Sequence, residues 1–529
     1  MFRRTRWRMS ALGRRSSARR RQFDPLVLVV AAVAAVVYAL HGFHGTLTRD
    51  LGVYSYAGQQ VADGVPPYLG ILNRAGPLAH ILPGVGVVIA RLGGFDDVVT
   101  MRFLFMLIAT ACVCTIYLLG RDLFRSRSAG LVTAGALLAF YGFIEYASNG
   151  PREKTPMTLF IICALWALIH RRWFTAGLCV SLATLCLQTA FVSTFAAVVV
   201  GALLLAPGGR LRAWGRIALG GVVPVAVLGV WFALAGSLRA SVDGFYVINR
   251  RYTVATPVTD DLDAVWLDLH AAYGVTLWLL LGGLAALVVY SFAAVSGRAR
   301  GADPAVVVLP ALTAGVLVGL AWTLKDYDAW PDLFPLLPFA AVGIGGVFSL
   351  VERRLVRHWA GVVAAGFSVI AVVLASAFSI STRDDMLETQ RAAVVAVMAQ
   401  LPSDATITSI EAPQPLVLTG RTNPTRYQMF RVGLQDYMED TWPGGLDGFK
   451  SDLVARRPDL IAVGETVSRR WRASIAPEYV YIGSAPVWDW YARGSLGEAK
   501  IAALRSAAGF DPNDPLALEP SSGHGLHRR

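Results

Sequence analysis

One aspartate stands out by position. Asp50 follows closely on the apolar run 25–40, within the stretch Thr48-Arg49-Asp50-Leu51-Gly52-Val53-Tyr54-Ser55-Tyr56-Ala57. A carboxylate at a membrane edge can take a proton from a hydroxyl, the work of a general base. Arg49 beside it can orient that base or pair with a phosphate. Its plainer role is to reach lipid headgroups. Residues 53–62 have the spacing of a short interfacial helix, which Gly64-Val65-Pro66-Pro67-Tyr68 ends. Asn73-Arg74-Ala75-Gly76-Pro77-Leu78 makes a further turn.

Other charged groups fall at the ends of apolar runs. Asp96 and Asp97 can bind a divalent cation, position an acceptor, or simply be a solvated pair. Glu153, with Lys154, lies between two apolar runs and can face a donor or an acceptor. Gln188 reads as a helix-packing amide. Asn249-Arg250-Arg251-Tyr252 puts two arginines together, and a planar guanidinium suits a phosphate. Lys325-Asp326-Tyr327-Asp328-Ala329-Trp330-Pro331 ends another run. Lys325 can touch a phosphate there, while Tyr327 and Trp330 fit an interfacial aromatic belt.

The elements that hold these residues are membrane helices. Of 529 residues 55% are hydrophobic and only 16% charged, against about 25% charged in soluble domains. Apolar runs at 25–40, 103–119, 131–146, 217–235, 275–292, 305–324, 333–350 and 360–378 are long enough to span, or nearly span, a bilayer. The formal charge of +12 comes mostly from arginines in loops. It fits cytoplasmic loops beside anionic lipid rather than nucleic-acid binding.

Basic loops at 121–127, 170–172, 210–216, 298–300 and 352–358 belong inside, as does the Arg-rich tail 1–24. The loops 41–101, 149–155, 237–270 and 324–330, and everything after 381, then lie outside. This needs 77–92 to be re-entrant and gives about eleven crossings. Runs 155–169 and 175–187 are short for a straight crossing. Arg74, Arg250 and Arg251 are then outer-side arginines, which the positive-inside pattern disfavours unless they meet an anion.

The expected fold is an all-α polytopic membrane domain, 25–381, followed by a small extracytoplasmic α/β domain, 382–496. In the latter, 386–401 and 444–456 read as helices and 405–410, 460–463 and 479–482 as strands. Residues 497–529 read as a flexible tail. The five cysteines sit in apolar segments and read as small core residues, not as a metal or disulfide set.

The first outer loop resembles that of the GT-C superfamily of integral membrane glycosyltransferases, in particular bacterial relatives of protein O-mannosyltransferases and lipid A aminoarabinose transferases. Asp50 matches their acid after the first helix. Tyr54 to Ala57, with Tyr56, matches their aromatic helix. Gly64, Pro67 and Tyr68 match the Gly-x-x-Pro-Tyr turn, and Gly76-Pro77-Leu78 the final turn. Two positions depart from the pattern: Leu51 stands where many relatives have a second acid, and Ala75 where they have lysine. Arg74 adjoins Ala75 and can take over its phosphate contact.

The resemblance implies an inverting transfer from a polyprenyl-phosphate sugar to a cell-envelope acceptor. Asp50 would be the base, and Arg74, Arg250, Arg251 or Lys325 would meet the leaving phosphate. It leaves a divalent cation at Asp96, Asp97 or Glu153 open. No nucleotide fingerprint is present, as a lipid-linked donor requires. The alternatives are a transporter or flippase of a lipid-linked saccharide, which would put acids or broken helices at mid-membrane depth, and a non-catalytic envelope assembly protein.

Overall fold

A computed structural model describes residues 24–295, 304–431, 433–475 and 477–510. The Arg-rich start, the basic loop 298–300 and the chain after 510 lie outside the described residues.

The apolar runs of the first 381 residues become helices because they offer no polar face to stop at and few glycine or proline breaks. Leu26–Leu40 comes first, and Arg49–Ala62 and Leu78–Gly93 follow in the first loop. Asp97–Phe124 is the longest at 28 residues. Among the described residues, six helices are long and apolar enough to cross a membrane. The number is seven if Arg127–Ala139 and Tyr141–Ser148, bent by 73°, count as one.

The expected eleven crossings are therefore not established. They would need four shorter helices as well: Leu26–Leu40, Lys154–Ile169, Trp173–Cys186 and Ala190–Leu205. A straight helix of 16 residues reaches only about 24 Å, less than the roughly 30 Å hydrocarbon core. Helices Arg210–Leu234 and Arg357–Ser381 leave long apolar faces open, including Val227, Val230, Val369 and Ile370. Such faces suit lipid.

The C-terminal part holds a four-stranded sheet. Its strands are β1 (Ile407–Ile410), β2 (Leu460–Gly464), β3 (Tyr479–Ala485) and β4 (Trp488–Arg493), in the order β1-β2-β4-β3. β1 and β2 run parallel and the other pairs antiparallel. The expected strands and the helices Met386–Met398 and Gly445–Ala455 are present. β4 is an addition to the expected set. It follows β3 through Pro486-Val487, and Val487 has φ +74°. A hairpin of that kind usually announces itself with Asn or Gly, and this one does not. Helix Glu498–Ala507 extends the ordered chain past the expected boundary at 497, with Leu504 buried.

This domain shares one core with the loop 41–101. Leu47, Leu51 and Tyr56 pack with Leu387, Leu416 and Trp488. Hydrogen bonds tie the same surfaces. The Leu47 N–H donates to Gln390 Oε1 (2.8 Å), Gln59 Nε2 to the Val417 carbonyl (3.1 Å), the Asn423 N–H to the Tyr56 hydroxyl (2.8 Å), and the Leu72 N–H to the Arg426 carbonyl (2.9 Å). The sheet domain thus fixes the loop that carries Asp50.

Candidate active site

Asp50 lies in the first turn of Arg49–Ala62, where Thr48 caps the helix through the Leu51 N–H. A negative group is favoured there by the helix dipole. Buried Arg102 secures the segment that leads into this helix: its Nη1 donates to the carbonyls of Phe43 (2.8 Å) and Gly45 (2.9 Å).

Two arginines hold Asp50. Arg49 donates from Nε (3.0 Å) and Nη2 (2.8 Å) to Oδ1, and Arg152 donates from Nη1 to Oδ2 at 2.8 Å. Burial pushes the Asp50 carboxyl up, but Arg152 and Arg49 outweigh it and hold the group well below the usual carboxylate range. The side chain still keeps 41% of its surface open, so a ligand can reach it.

Arg152 is the centre of the cluster. Its Nη2 donates to the Tyr146 hydroxyl (2.8 Å), and its guanidinium lies 4.6 Å from the Tyr146 ring centre and 5.8 Å from that of Tyr54. Glu153 Oε2 is 3.8 Å from Arg152 Nε, and both atoms are buried without a hydrogen-bond partner. Lys154 follows and pairs with Asp332 at 2.9 Å. The Asp328 N–H donates to Asp332 (2.8 Å), and Asp328 pairs with Arg74 at 2.7 Å. Ion pairs at Arg152, Lys154 and Arg74, with the Asp328 N–H bond between the last two, thus connect Asp50 through the segments 152–154 and 328–332 to Arg74.

The turn that carries Arg74 is held closely. The Gly76 N–H donates to the Cys186 carbonyl (3.0 Å), and a Cβ at Gly76 would overlap the Leu185 carbonyl oxygen. The Tyr68 hydroxyl donates to the Ala75 carbonyl at 2.7 Å, and Tyr68 has φ +70°. Gly64, at φ +83°, makes the preceding turn, and Pro67 is buried beside it. Gln188 Nε2 (3.1 Å) and Asn249 Nδ2 (2.8 Å) both donate to the Arg74 carbonyl. Gln188 is therefore a clamp on this turn.

Arg250 and Arg251 lie on Asp243–Tyr252, a π-helical segment, a form that is rare and tends to mark functional sites. Both are exposed and, among the described residues, make no ion pair or hydrogen bond. Lys325 is likewise exposed, 5.5 Å from the Trp322 ring centre, outside the charged chain. Asp96 caps Asp97–Phe124 and pairs with Arg391 at 2.6 Å, while Asp97 accepts from Gln59 at 3.1 Å. The partners of these two carboxylates lie outside the Asp50 cluster. Among the described residues, no three His, Cys, Asp or Glu side chains gather as a metal site.

Beside the Arg74 turn lies an apolar groove of about 690 Å³ between helices Trp173–Cys186, Ala190–Leu205 and Arg210–Leu234. Tyr68 and Pro77 border it on the turn side. Phe245 and Tyr246, on the segment that carries Arg250 and Arg251, cover it.

Sequence pattern does not single out Arg152, Asp328 or Asp332. Arg152 carried a usable signal, since it is one more arginine in an expected outer loop. Asp328 and Asp332 carried none, because their partners Arg74 and Lys154 are far away in sequence.

The chain has the GT-C fold. Its structure is similar to that of ArnT from Cupriavidus metallidurans bound to undecaprenyl phosphate, with a TM-score of 0.62 and 14% identity over 89% of this chain and 99% of that one. It is also similar to the arabinofuranosyltransferase AftD from Mycobacteria, with a TM-score of 0.51 and 14% identity over 89% of this chain and 40% of that one. No family model and no curated protein matches the sequence.

Proposed function

We propose that the chain is a membrane glycosyltransferase that moves a sugar from a polyprenyl-phosphate donor to a hydroxyl of a cell-envelope acceptor. One observation carries this reading: ion pairs and hydrogen bonds of the segments 152–154 and 328–332 connect Asp50 to Arg74, and the turn that bears Arg74 lies beside an apolar groove. A ligand with a long apolar chain and a phosphate head uses both parts. The undecaprenyl phosphate held by the ArnT structure of the same fold supports that lipid class.

The donor's chain lies in the groove, and its phosphate meets Arg74, Arg250 and Arg251, with Lys325 as a further cation. The sugar then points toward Asp50. The acceptor oxygen bonds to the anomeric carbon as the bond from that carbon to the phosphate oxygen breaks. The phosphate leaves with the electron pair, and the hydroxyl proton passes to Asp50. The arginines stabilise the charge that develops on the phosphate. Attack from the face opposite the phosphate inverts the anomeric centre. In the free protein both Asp50 oxygens are occupied by guanidinium groups. Tail and basic loops lie in the cytoplasm, and the site and the sheet domain lie outside the cell membrane.

Undecaprenyl phosphate should raise the melting temperature of the purified wild-type protein, and raise it less in Arg250→Ala and Arg251→Ala. Equal shifts in all three would reassign this pair to headgroup anchoring.

A further inference from the structure

Resting on that reading, we infer that Glu411 of the sheet domain is a positioning residue for Asp50, acting through Arg49. Glu411 follows directly on β1, in a part of the chain far from the outer loop. Its carboxylate is almost fully buried, with 3% of the side chain open, and its Oε2 accepts from Arg49 Nη1 at 3.1 Å. The opposite edge of the same guanidinium holds Asp50 Oδ1. Arg49 is therefore stretched between two carboxylates from two parts of the molecule, and its planar fork gives each a fixed direction.

The backbone at Glu411 is held in place for this purpose. Its φ is +57°, a left-handed value that is costly for a residue with a Cβ. The Glu411 N–H donates to the Gln428 carbonyl at 2.7 Å, and Glu411 Oε1 accepts from the Phe430 N–H. A Cβ at Gly464, on the neighbouring strand, would crowd the Glu411 carbonyl carbon at 3.1 Å. With Oε1 held by the Phe430 N–H, Oε2 is the oxygen that meets Arg49. Burial pushes the Glu411 carboxyl up, and Arg49 opposes the shift, so the pair is costly to bury unless it serves a purpose.

Glu411→Gln keeps the shape and an acceptor for Phe430 but removes the charge that anchors Arg49. The assay uses the member of a panel of synthetic decaprenyl-phosphate sugars that wild type turns over. The expected result is a fall in kcat of about tenfold, with the donor KM and the thermal shift by undecaprenyl phosphate unchanged. In an Arg49→Gln background, Glu411→Gln should cost nothing more, because its route to Asp50 is already cut. A wild-type kcat in Glu411→Gln, or losses that multiply in the double variant, would overturn the inference. Asp50→Asn run alongside separates the two readings. If it abolishes transfer while Glu411→Gln does not weaken it, only the role of Glu411 falls. If Asp50→Asn transfers normally, the reading of the site falls with it.

Discussion

Two pairs of arginines have opposite surroundings. Arg49 and Arg152 are spent on Asp50, and Arg49 also on Glu411. Arg250 and Arg251 stand exposed without an ion pair among the described residues, on a segment that lines an apolar groove. The first pair builds a fixed carboxylate site before any ligand arrives. The second carries its charge in the open, where the proposed function puts the donor phosphate. The two pairs thus sit on separate elements, and Asn249, next to Arg250, donates to the Arg74 carbonyl.

The strongest break in this comparison is on the rigid side. Arg152→Ala removes the partner of Asp50 Oδ2 and leaves Tyr146 and Glu153 uncompensated. Transfer should fall about a hundredfold, and the protein should lose about 1–3 kcal/mol of stability. Turnover and thermal unfolding in detergent read the two effects. A variant with normal turnover would show that the grip on Asp50 is idle.

On the recognition side the losses should be smaller and confined to donor use. Arg250→Ala or Arg251→Ala should weaken it roughly ten- to a hundredfold, the cost of one charge-assisted contact, with stability unchanged. Lysine at either position should restore only part, since the two-donor fork is lost. Equal losses in stability and donor use would place these arginines in the rigid set instead.

The smallest effect sharpens the boundary. Asp96→Ala removes a helix cap and should cost about 1 kcal/mol. The half-exposed pair with Arg391 adds little to that. Transfer should stay near wild type. A collapse of transfer without a loss of stability would bring the Asp96–Asp97 pair back as a cation or acceptor site.

The pH dependence follows from the held carboxylate. Asp50 is kept well below the usual carboxylate range by Arg152 and Arg49. A group with a depressed value stays ionised above its unfolded value and loses its contribution only as pH falls through the folded one. The rate should therefore not drop between pH 8 and pH 5 through Asp50. A titration of kcat that shows an acid limb in this window, absent in Asp50→Asn, would contradict the double grip.

Much of this was legible in the sequence where the information is local. Helices of the membrane part follow from unbroken apolar runs, and the loop motif from Asp50 to Pro77 marks its own turns through Gly64, Pro67 and Gly76. The partners of these residues were not legible. Arg152, Asp328 and Glu411 reach Asp50, Arg74 and Arg49 only once the chain has folded, across separations that no local period encodes. β4 escaped because Pro486-Val487 lacks the usual residues of a tight hairpin. The count of crossings escaped because helices of 14 to 16 residues sit near the length at which hydropathy stops deciding.

The most direct measurement follows release of polyprenyl phosphate. Purified wild type and Asp50→Asn, each in lipid nanodiscs, are given the panel of synthetic decaprenyl-phosphate sugars with a cell-envelope extract as acceptor. Wild type should release decaprenyl phosphate from at least one donor, matched one for one by sugar bound to acceptor, and Asp50→Asn should be slower by at least about a hundredfold. Equal release by the two proteins, or none from any donor with the wild type, would contradict the account.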